Sequence, residues 1–540
     1  MTGFSKIIFP ALLGGVLCSA HTAAQEDRPG AGWKDFDYIK QSDVRLAGDN
    51  AAGLRYLPVD RVSVAGIYAN RSYGKFINYY QSDNSYTLGA QTESFYRFSP
   101  GIVFHGSVSY AGFTGKNMGG SAFINPYGNP FDIVEYSDTT RGIKNLETYH
   151  LTGAISADVS KRLTIGGKVD YTAANYAKRK DLRHKNKLLD MYVTAGLSYR
   201  INKALEIGAN YYYRRSVEGV EFKIYGTTDK QYFSLINYGA FYGKTEMSGE
   251  TGYTSENEDN PMYNSYNGAS LQLGVHINPA IHIFNELAYK SRNGEFGKRD
   301  PRKIVYSEHN SGILEYRGSF SLKKGRNHHF LNINIENETL ENFENVYRFE
   351  SRPGGANYIV YYDPLKVADR ERFGMKAEYV ACLDVRDFCP EWIFRGGVNY
   401  NRRKLTASFY PYYRKQNIHY ANCGASATRN IIKGKNMYGI SLDARYASGG
   451  GTIGNDGLYA APGENQIKPA SMESGLQNEY EYLTTGQVKG NIGLKYSKLF
   501  DKPGIRGYAA LDYSLTKAFG VKHLEGNSFN SATVTVGCVF

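Results

Sequence analysis

Alternation with a period of two, repeated along most of the chain, restricts what this sequence can fold into more than any other feature. In "RLTIGGKVDYT", Leu163, Ile165, Gly167, Val169 and Tyr171 share one side, and Thr164, Gly166, Lys168, Asp170 and Thr172 the other. Such a period places successive side chains on opposite faces of a strand. The next segments repeat it: Leu189, Met191, Val193, Ala195, Leu197 and Tyr199 oppose Asp190, Tyr192, Thr194, Gly196, Ser198 and Arg200. Leu205, Ile207, Ala209 and Tyr211 then oppose Glu206, Gly208, Asn210 and Tyr212. The pattern runs to the last residue, since Ala532, Val534, Val536, Cys538 and Phe540 of "SATVTVGCVF" share a face. A free terminus frays, so an apolar final strand is expected to be docked.

Two all-β architectures fit, a soluble sandwich and a membrane barrel. The connections favour the barrel. Short turns at 99–101, 160–162, 201–203, 278–280 and 324–326 alternate with long polar stretches at 113–146, 216–267, 341–370 and 448–479. Short turns at one end and long loops at the other mark a transmembrane up-and-down β-barrel with periplasmic and extracellular rims. A sandwich scatters long loops over both ends. Strands are expected at 61–80, 84–97, 101–112, 147–158, 162–174, 187–200, 203–215, 268–277, 280–291, 309–323, 327–340, 371–383, 391–400, 404–413, 436–447, 480–497, 505–516 and 530–540. That is about eighteen, with 14 or 16 open because 391–447 divides ambiguously. A barrel this wide is either a water channel or plugged. The face opposite the apolar one carries Lys168, Asp170, Arg200, Glu206, Arg214, Glu286, Asp443, Lys489, Lys495 and Asp512, which are expected to line the lumen.

The first residues bound the compartment. Lys6, an apolar run from Ile7 to Cys18 and the exit Thr22-Ala23-Ala24 form an export signal over residues 1–24. Leu17 before Cys18 is bulkier than lipid-attachment processing takes. No later apolar run reaches the 18 or so residues a membrane helix needs, and mean hydropathy is −0.47. The 47 tyrosines suit a membrane–water boundary, where the ring is buried and the hydroxyl stays wet. Residues 25–60 precede the first strand; they fold into the lumen as a hatch or lie at its periplasmic mouth. Four cysteines remain after the signal, an even number in an oxidising compartment. Cys382 and Cys389 are spaced to staple a turn, and Cys423 with Cys538 is a second candidate pair.

A net charge of +12 favours anionic neighbours. The basic run "KRKDLRHKNK", with Lys178, Arg179, Lys180, Arg183, Lys185 and Lys187, is expected outside, either as an anion or lipopolysaccharide contact or as a solvated loop. No nucleophile elbow, zinc-peptidase motif or calcium-loop spacing occurs, so no catalytic residue, metal site or cofactor is expected, and an exported chain rarely meets nucleic acid, which is not an expected partner.

The export signal, the alternating strands, the unequal connections and the aromatic end at Phe540 together resemble Gram-negative outer-membrane β-barrel proteins, in particular the large tyrosine-rich barrels of Bacteroidota. The resemblance implies export by a Sec-type route, residence in the outer membrane among lipid and lipopolysaccharide, and insertion by the barrel-assembly machinery. In that class the last strand acts as the assembly signal, matched here by Val534, Val536, Cys538 and Phe540. The stretch "GDNAAGLRYLPV" before the first strand is faintly similar to the hatch of fatty-acid transport barrels. The expected function is passage of polar solutes, as a porin or an uptake-system component with an unspecified partner transporter or lipoprotein. The alternatives are a surface barrel whose loops engage a protein, glycan or lipopolysaccharide, and, less favoured, a barrel hydrolase.

Overall fold

In the computed structural model, residues 33–540 are described except 227–229, 251, 257–258, 301–302, 352–354, 356 and 501–503. The export signal and Gln25–Gly32 of the expected hatch lie outside the described residues. Eighteen strands form one antiparallel sheet. They run Arg61–Gly74, Asn84–Ser99, Ile102–Met118, Gly142–Asp158, Leu163–Lys178, Arg183–Arg200, Leu205–Lys223, Asp259–Asn278, Ile281–Asp300, Lys303–Lys324, Asn327–Glu344, Leu365–Arg386, Cys389–Phe409, Tyr412–Lys433, Asn436–Leu458, Gln487–Leu499, Arg506–Ala518 and Ser528–Val539. Each pairs with its neighbours in sequence, and the last closes on the first through Ile67↔Val536, Ala69↔Val534 and Asn70↔Thr533. Closure leaves no edge, the condition for a sheet in hydrocarbon, where an unpaired N–H or C=O costs several kcal/mol.

Large apolar side chains face outward on every side of the barrel, among them Ile67, Leu88, Val108, Val169, Leu197, Leu287, Leu314, Val398, Leu442, Leu494 and Val536. Leu271 is 73% exposed. No soluble sheet leaves such a continuous band in water, so this is the lipid-facing surface. On the rim that carries the C-terminus the connections are 100–101, 159–162, 201–204, 279–280, 325–326, 387–388, 434–435 and 500–505. The opposite rim carries 75–83, 119–141, 224–258, 345–364, 459–486 and 519–527, together with tight turns at 179–182 and 410–411. This is the expected asymmetry of periplasmic and extracellular ends.

Most strands are longer than the sequence suggests, although the first ends at Gly74 rather than at 80. Asn436–Leu458 has 23 residues, where a tilted strand needs only about 10 to cross a membrane. The wall therefore continues beyond lipid, absorbing much of what reads as long loops. Two boundaries are corrected. The expected strand 404–413 spans the end of Cys389–Phe409 and the turn at Tyr410-Pro411, and Tyr412–Lys433, read as loop, is a full strand. The start of 480–497 belongs to the helix Glu473–Thr484.

Both ends are filled from within. Near the C-terminal rim, the helix Phe36–Gln41 and the 3-10 turns Val44–Ala47 and Ala51–Tyr56 sit inside the barrel. Asp35, Asp43 and Asn50 cap them with side-chain oxygens. Phe36, Ile39, Leu46, Leu54 and Leu57 bury against Val62, Phe95, Val103, Ala154 and Val539 of the wall. At the far end, Asp132–Glu135, Phe233–Gly239, Tyr242–Met247 and Ala470–Ser471 make a separate four-stranded sheet. Its loops bring Phe123, Phe131, Tyr238 and Tyr253 onto Phe222, Met262, Phe296 and Tyr306 of the wall. Phe131 meets Tyr253 edge-on at 5.1 Å, and Tyr253 stacks on Phe296 at 5.3 Å.

Candidate functional site

Between the inner hatch (Trp33–Asp60) and the outer cap lie adjoining polar cavities of about 440, 590 and 630 Å³. Alternation places charged groups here: each strand that sends Leu, Val or Tyr to lipid sends its polar residues inward.

The hatch is held to the wall by ion pairs and backbone contacts. Arg45 lies between Asp43 (2.6 Å) and Glu206 (3.2 Å), with its guanidinium 3.3 Å from the Tyr56 ring centre. Glu206 also accepts from Ser198 Oγ at 2.5 Å and from the Tyr56 hydroxyl. Lys168 reaches Asp49 at 3.3 Å, and Thr194 Oγ1 donates to the Asp49 carbonyl at 2.7 Å. Asn50 Nδ2 donates to the Leu197 carbonyl (3.0 Å) and to Gln272 Oε1 (2.8 Å). Two wall glycines make this approach possible. A Cβ on Gly166 would sit 2.2 Å from the Ala52 nitrogen, and one on Gly196 2.2 Å from Asn50 Oδ1.

The other expected lumen residues fall as follows. Asp170 accepts from His150 Nε2 (2.8 Å) and Thr152 Oγ1 (2.9 Å). Hydroxyl and imidazole thus share one carboxylate, which orients both. Arg214 binds Asp190 through two nitrogens, at 2.9 and 2.5 Å. Glu286 accepts from Tyr212, Ser270 and Gln272 and faces Arg317 at 3.5 Å. Asp443 pairs with Arg445 at 3.0 Å. Lys495 lines the cavity beside the hatch with its ammonium 4.9 Å from the Tyr508 ring centre. Asp512, opposite Gly493, and the exposed Lys489, opposite Arg445, alternate with outward Leu511 and Val488. Arg200 ends its strand at the periplasmic turn, its backbone N–H on the Arg162 carbonyl.

The basic run does not act as one cluster. Lys178 points inward, is buried and pairs with Glu135 of the cap. Lys180 Nζ donates to the Thr139 carbonyl at 2.7 Å, and Arg183 is taken by Asp181 and the Tyr225 ring. The strands extend so far that only 179–182 form a turn. Lys185 and Lys187 lie on the outward face in register with Leu189, and Arg179 is exposed at the rim. Arg179, Lys180, Lys185 and Lys187 are exposed, Arg183 is half-buried, and Lys178 belongs to the cap.

The expected disulfides are also corrected, since all four cysteines are free thiols. In the hairpin Cys382 is opposite Ile393 and Cys389 opposite Arg386. Four rungs at about 3.3 Å separate them, beyond the roughly 7 Å between Cα atoms that a bridge tolerates. Cys423 pairs with Val398 and Tyr446, Cys538 with Ala65 and Gly507. Three strands lie between them. On the closing strand Val534 and Val536 face lipid at 50% and 51% exposure, and Phe540 exchanges two backbone hydrogen bonds with Ser63, at 2.8 and 3.0 Å.

Sequence reasoning missed the groups at the outer end of the chamber, Arg292, Arg370, Arg372 and Arg403. Arg370 and Arg372 are two apart in "DRERF" and share a face, but they fall at the edge of a stretch read as loop. Arg292 Nε donates to Asn264 (2.7 Å) and its Nη1 to the Gly128 carbonyl (2.9 Å). Arg372 Nε donates to Glu338 (2.8 Å) and its Nη1 to the Tyr127 carbonyl (2.6 Å). Arg370 Nη1 donates to the Asn129 carbonyl (2.9 Å). Arg403 holds Glu479 of the cap helix at 2.7 Å.

A closed eighteen-stranded sheet with a lipid-facing band, short turns at one rim and a polar interior defines a transmembrane β-barrel of the outer-membrane type. The chain belongs to a family of unknown function, DUF6850, whose profile matches residues 51–540. No curated protein matches the sequence. Among solved structures it is similar to the ferric preacinetobactin receptor BauA of Acinetobacter baumannii, with 9% identity, TM-score 0.39 and coverage of 89% of this chain and 79% of that one. It is also similar to the outer membrane transporter YddB of Escherichia coli, with 6% identity, TM-score 0.38 and coverage of 88% and 81%. The ferric-catecholate import receptor Fiu of E. coli K12 gives 8% identity, TM-score 0.36 and coverage of 88% and 81%.

Proposed function

We propose that the protein resides in the outer membrane of a Gram-negative cell and passes a polar solute through its lumen, with the hatch as inner gate and the folded loops as outer gate. The observation that carries this reading is the polar chamber between the closures. A barrel serving only as a surface scaffold has no need of cavities lined by Lys168, Asp190, Arg214, Lys290, Glu315 and Arg317. Beside its apolar packing, the hatch is held by ion pairs and hydrogen bonds that border the polar cavities, the kind that exchange for solvent when a gate moves. The lining residues act as the selectivity surface. The second reading, a closed binding barrel, is favoured by the aromatic core of the cap, which is built like a domain interior.

Planar-bilayer conductance separates the two. The intact chain is expected to show rare openings. A chain lacking the hatch and the Phe233–Met247 hairpin is expected to carry steady current with solute preference altered by R214Q. If rare openings never occur in the intact chain and R214Q leaves the trimmed barrel's preference unchanged, the lumen is not a working passage.

A further inference from the structure

The outer closure is latched in an unusual way. The segment Asn125-Pro126-Tyr127-Gly128-Asn129-Pro130 dips from the cap to the chamber's outer end, and three consecutive carbonyls, of Tyr127, Gly128 and Asn129, accept from Arg372, Arg292 and Arg370 respectively. These guanidiniums come from two wall strands and share one carboxylate. Arg372 bonds Glu338, and Arg292 lies 3.6 Å from it. Arg292 is 2% exposed. Arg370 keeps Nε and Nη2 buried without a hydrogen-bond partner among the described residues.

Four basic groups of the chamber each have their own carboxylate: Lys168 has Asp49, Arg214 has Asp190, Lys290 has Glu315 and Arg317 has Glu286. At this end Arg292 and Arg372 share the one carboxylate of Glu338, and their further acceptors, with that of Arg370, are neutral backbone carbonyls. A carbonyl dipole is a weaker partner for guanidinium than an oxyanion, which adds a full negative charge and two oxygens that match the planar fork. Leaving two donors of a buried guanidinium unmade carries its own penalty.

We propose that Arg292, Arg370 and Arg372 form an oxyanion-binding site, occupied in the closed barrel by the Tyr127–Asn129 carbonyls. A water-soluble solute bearing carboxylate, phosphate or sulfate groups displaces those carbonyls and frees the segment that ties down the cap. The inference deepens the passage reading by naming the solute class, and it rests on that reading for the step from binding to opening. The Tyr127 and Tyr266 rings flank the site, the first 5.6 Å from the Arg403 guanidinium and the second 5.5 Å from that of Arg292. A planar or ring-bearing body attached to the anion would meet aromatic walls.

The test is hydrogen exchange of the 122–131 amides in the full chain in nanodiscs, at constant ionic strength, with citrate, inorganic phosphate or spermidine. Citrate or phosphate at millimolar concentration is expected to speed exchange of this segment at least about tenfold, with spermidine inert. In R370Q/R372Q the segment should exchange fast without any anion and gain nothing from citrate. E338Q keeps the arginines, removes their competing carboxylate and should lower the citrate concentration needed. Unchanged exchange with both anions in the wild type, or the same acceleration in R370Q/R372Q over its own baseline, overturns the site. Conductance of the trimmed barrel distinguishes the two failures. If it carries solute with a preference set by Arg214 while the anions leave 122–131 untouched, the passage reading stands and the oxyanion site falls.

Discussion

Gly166 and Gly167 are neighbours on one strand and offer a matched pair of perturbations. Gly166 faces the hatch, where an added Cβ meets the Ala52 nitrogen at 2.2 Å, the Ala51 carbonyl carbon at 2.4 Å and the Ala52 Cα at 2.9 Å. All three are backbone atoms, so the 3-10 turn Ala51–Tyr56 must move by about 1 Å to admit a side chain. Gly167 faces outward, and a Cβ there finds only the Thr194 carbonyl at 3.9 Å. In G166L the overpacking itself costs about 1–3 kcal/mol. Moving the turn also strains the Asn50 bonds to Leu197 and Gln272 and the Ser156 Oγ bond to the Ala52 carbonyl. Each is worth about 1 kcal/mol net. The sum is about 4–6 kcal/mol, or a shift of at least roughly a thousandfold toward an undocked hatch. Hydrogen exchange of residues 44–57 in the folded barrel reads this directly, and bilayer conductance reads its effect on the lumen. G167L should leave both unchanged, because its side chain lies in lipid. Equal protection of 44–57 in G166L and G167L would refute the claim that the hatch depends on close approach to a glycine wall.

Removing the Arg45 guanidinium in R45A leaves Glu206 buried without its cation, a loss of about 3–5 kcal/mol of hatch docking, checked by the same exchange measurement; R45A/E206Q should recover much of it. Deleting Phe540 removes both backbone bonds to Ser63 at the seam and is expected to slow insertion into lipid several-fold while leaving conductance of the inserted barrel intact, as read by heat-modifiable gel mobility and bilayer recording. The cap should weaken as pH rises. Burial pushes Asp132 up to about 7 against the hydrogen bonds from Ser121 and Tyr79 and the nearby Lys144, which lower it. The docked cap therefore holds a proton that the free segment releases near 4, and its contribution, full below pH 4, declines until about pH 7. D132N should flatten protease protection of 119–141 across that range. Thiol titration of the denatured, unreduced mature protein is expected to find four thiols, and finding none or two would contradict the free cysteines.

Where the sequence is legible and where it is not follows from what each face touches. Outward Leu, Val and Ile opposite inward polar groups give a strong period-two contrast, and strands such as Leu163–Lys178 are readable because lipid on one side and water on the other enforce it. The strand Tyr412–Lys433 is hidden because its outward positions in the membrane are Ala421, Cys423, Ala425 and Ala427, too small to contrast with the inward Asn422, Gly424 and Ser426. The expected and observed strand numbers agree only because a turn read as the strand 404–413 offsets it. Strand ends beyond lipid lose the contrast altogether, since both faces are wet or meet the cap, and they read as loop. The site divides the same way. Lys168, Glu206 and Arg214 announce themselves as ionisable groups on the polar side of a clear strand, but their partners Asp49, Arg45 and Asp190 are set by how the hatch and neighbouring strands dock. The arginine latch was harder still. Its members stand where alternation has faded, and what they bind is backbone of a segment about 240 residues away in sequence, from Tyr127 to Arg372. A backbone carbonyl is the same in every residue, so no local pattern encodes that it will be the acceptor. Such a contact is specified by the position of the whole cap, and for that reason a solute able to outbid a carbonyl for three guanidiniums can act on the whole cap in return.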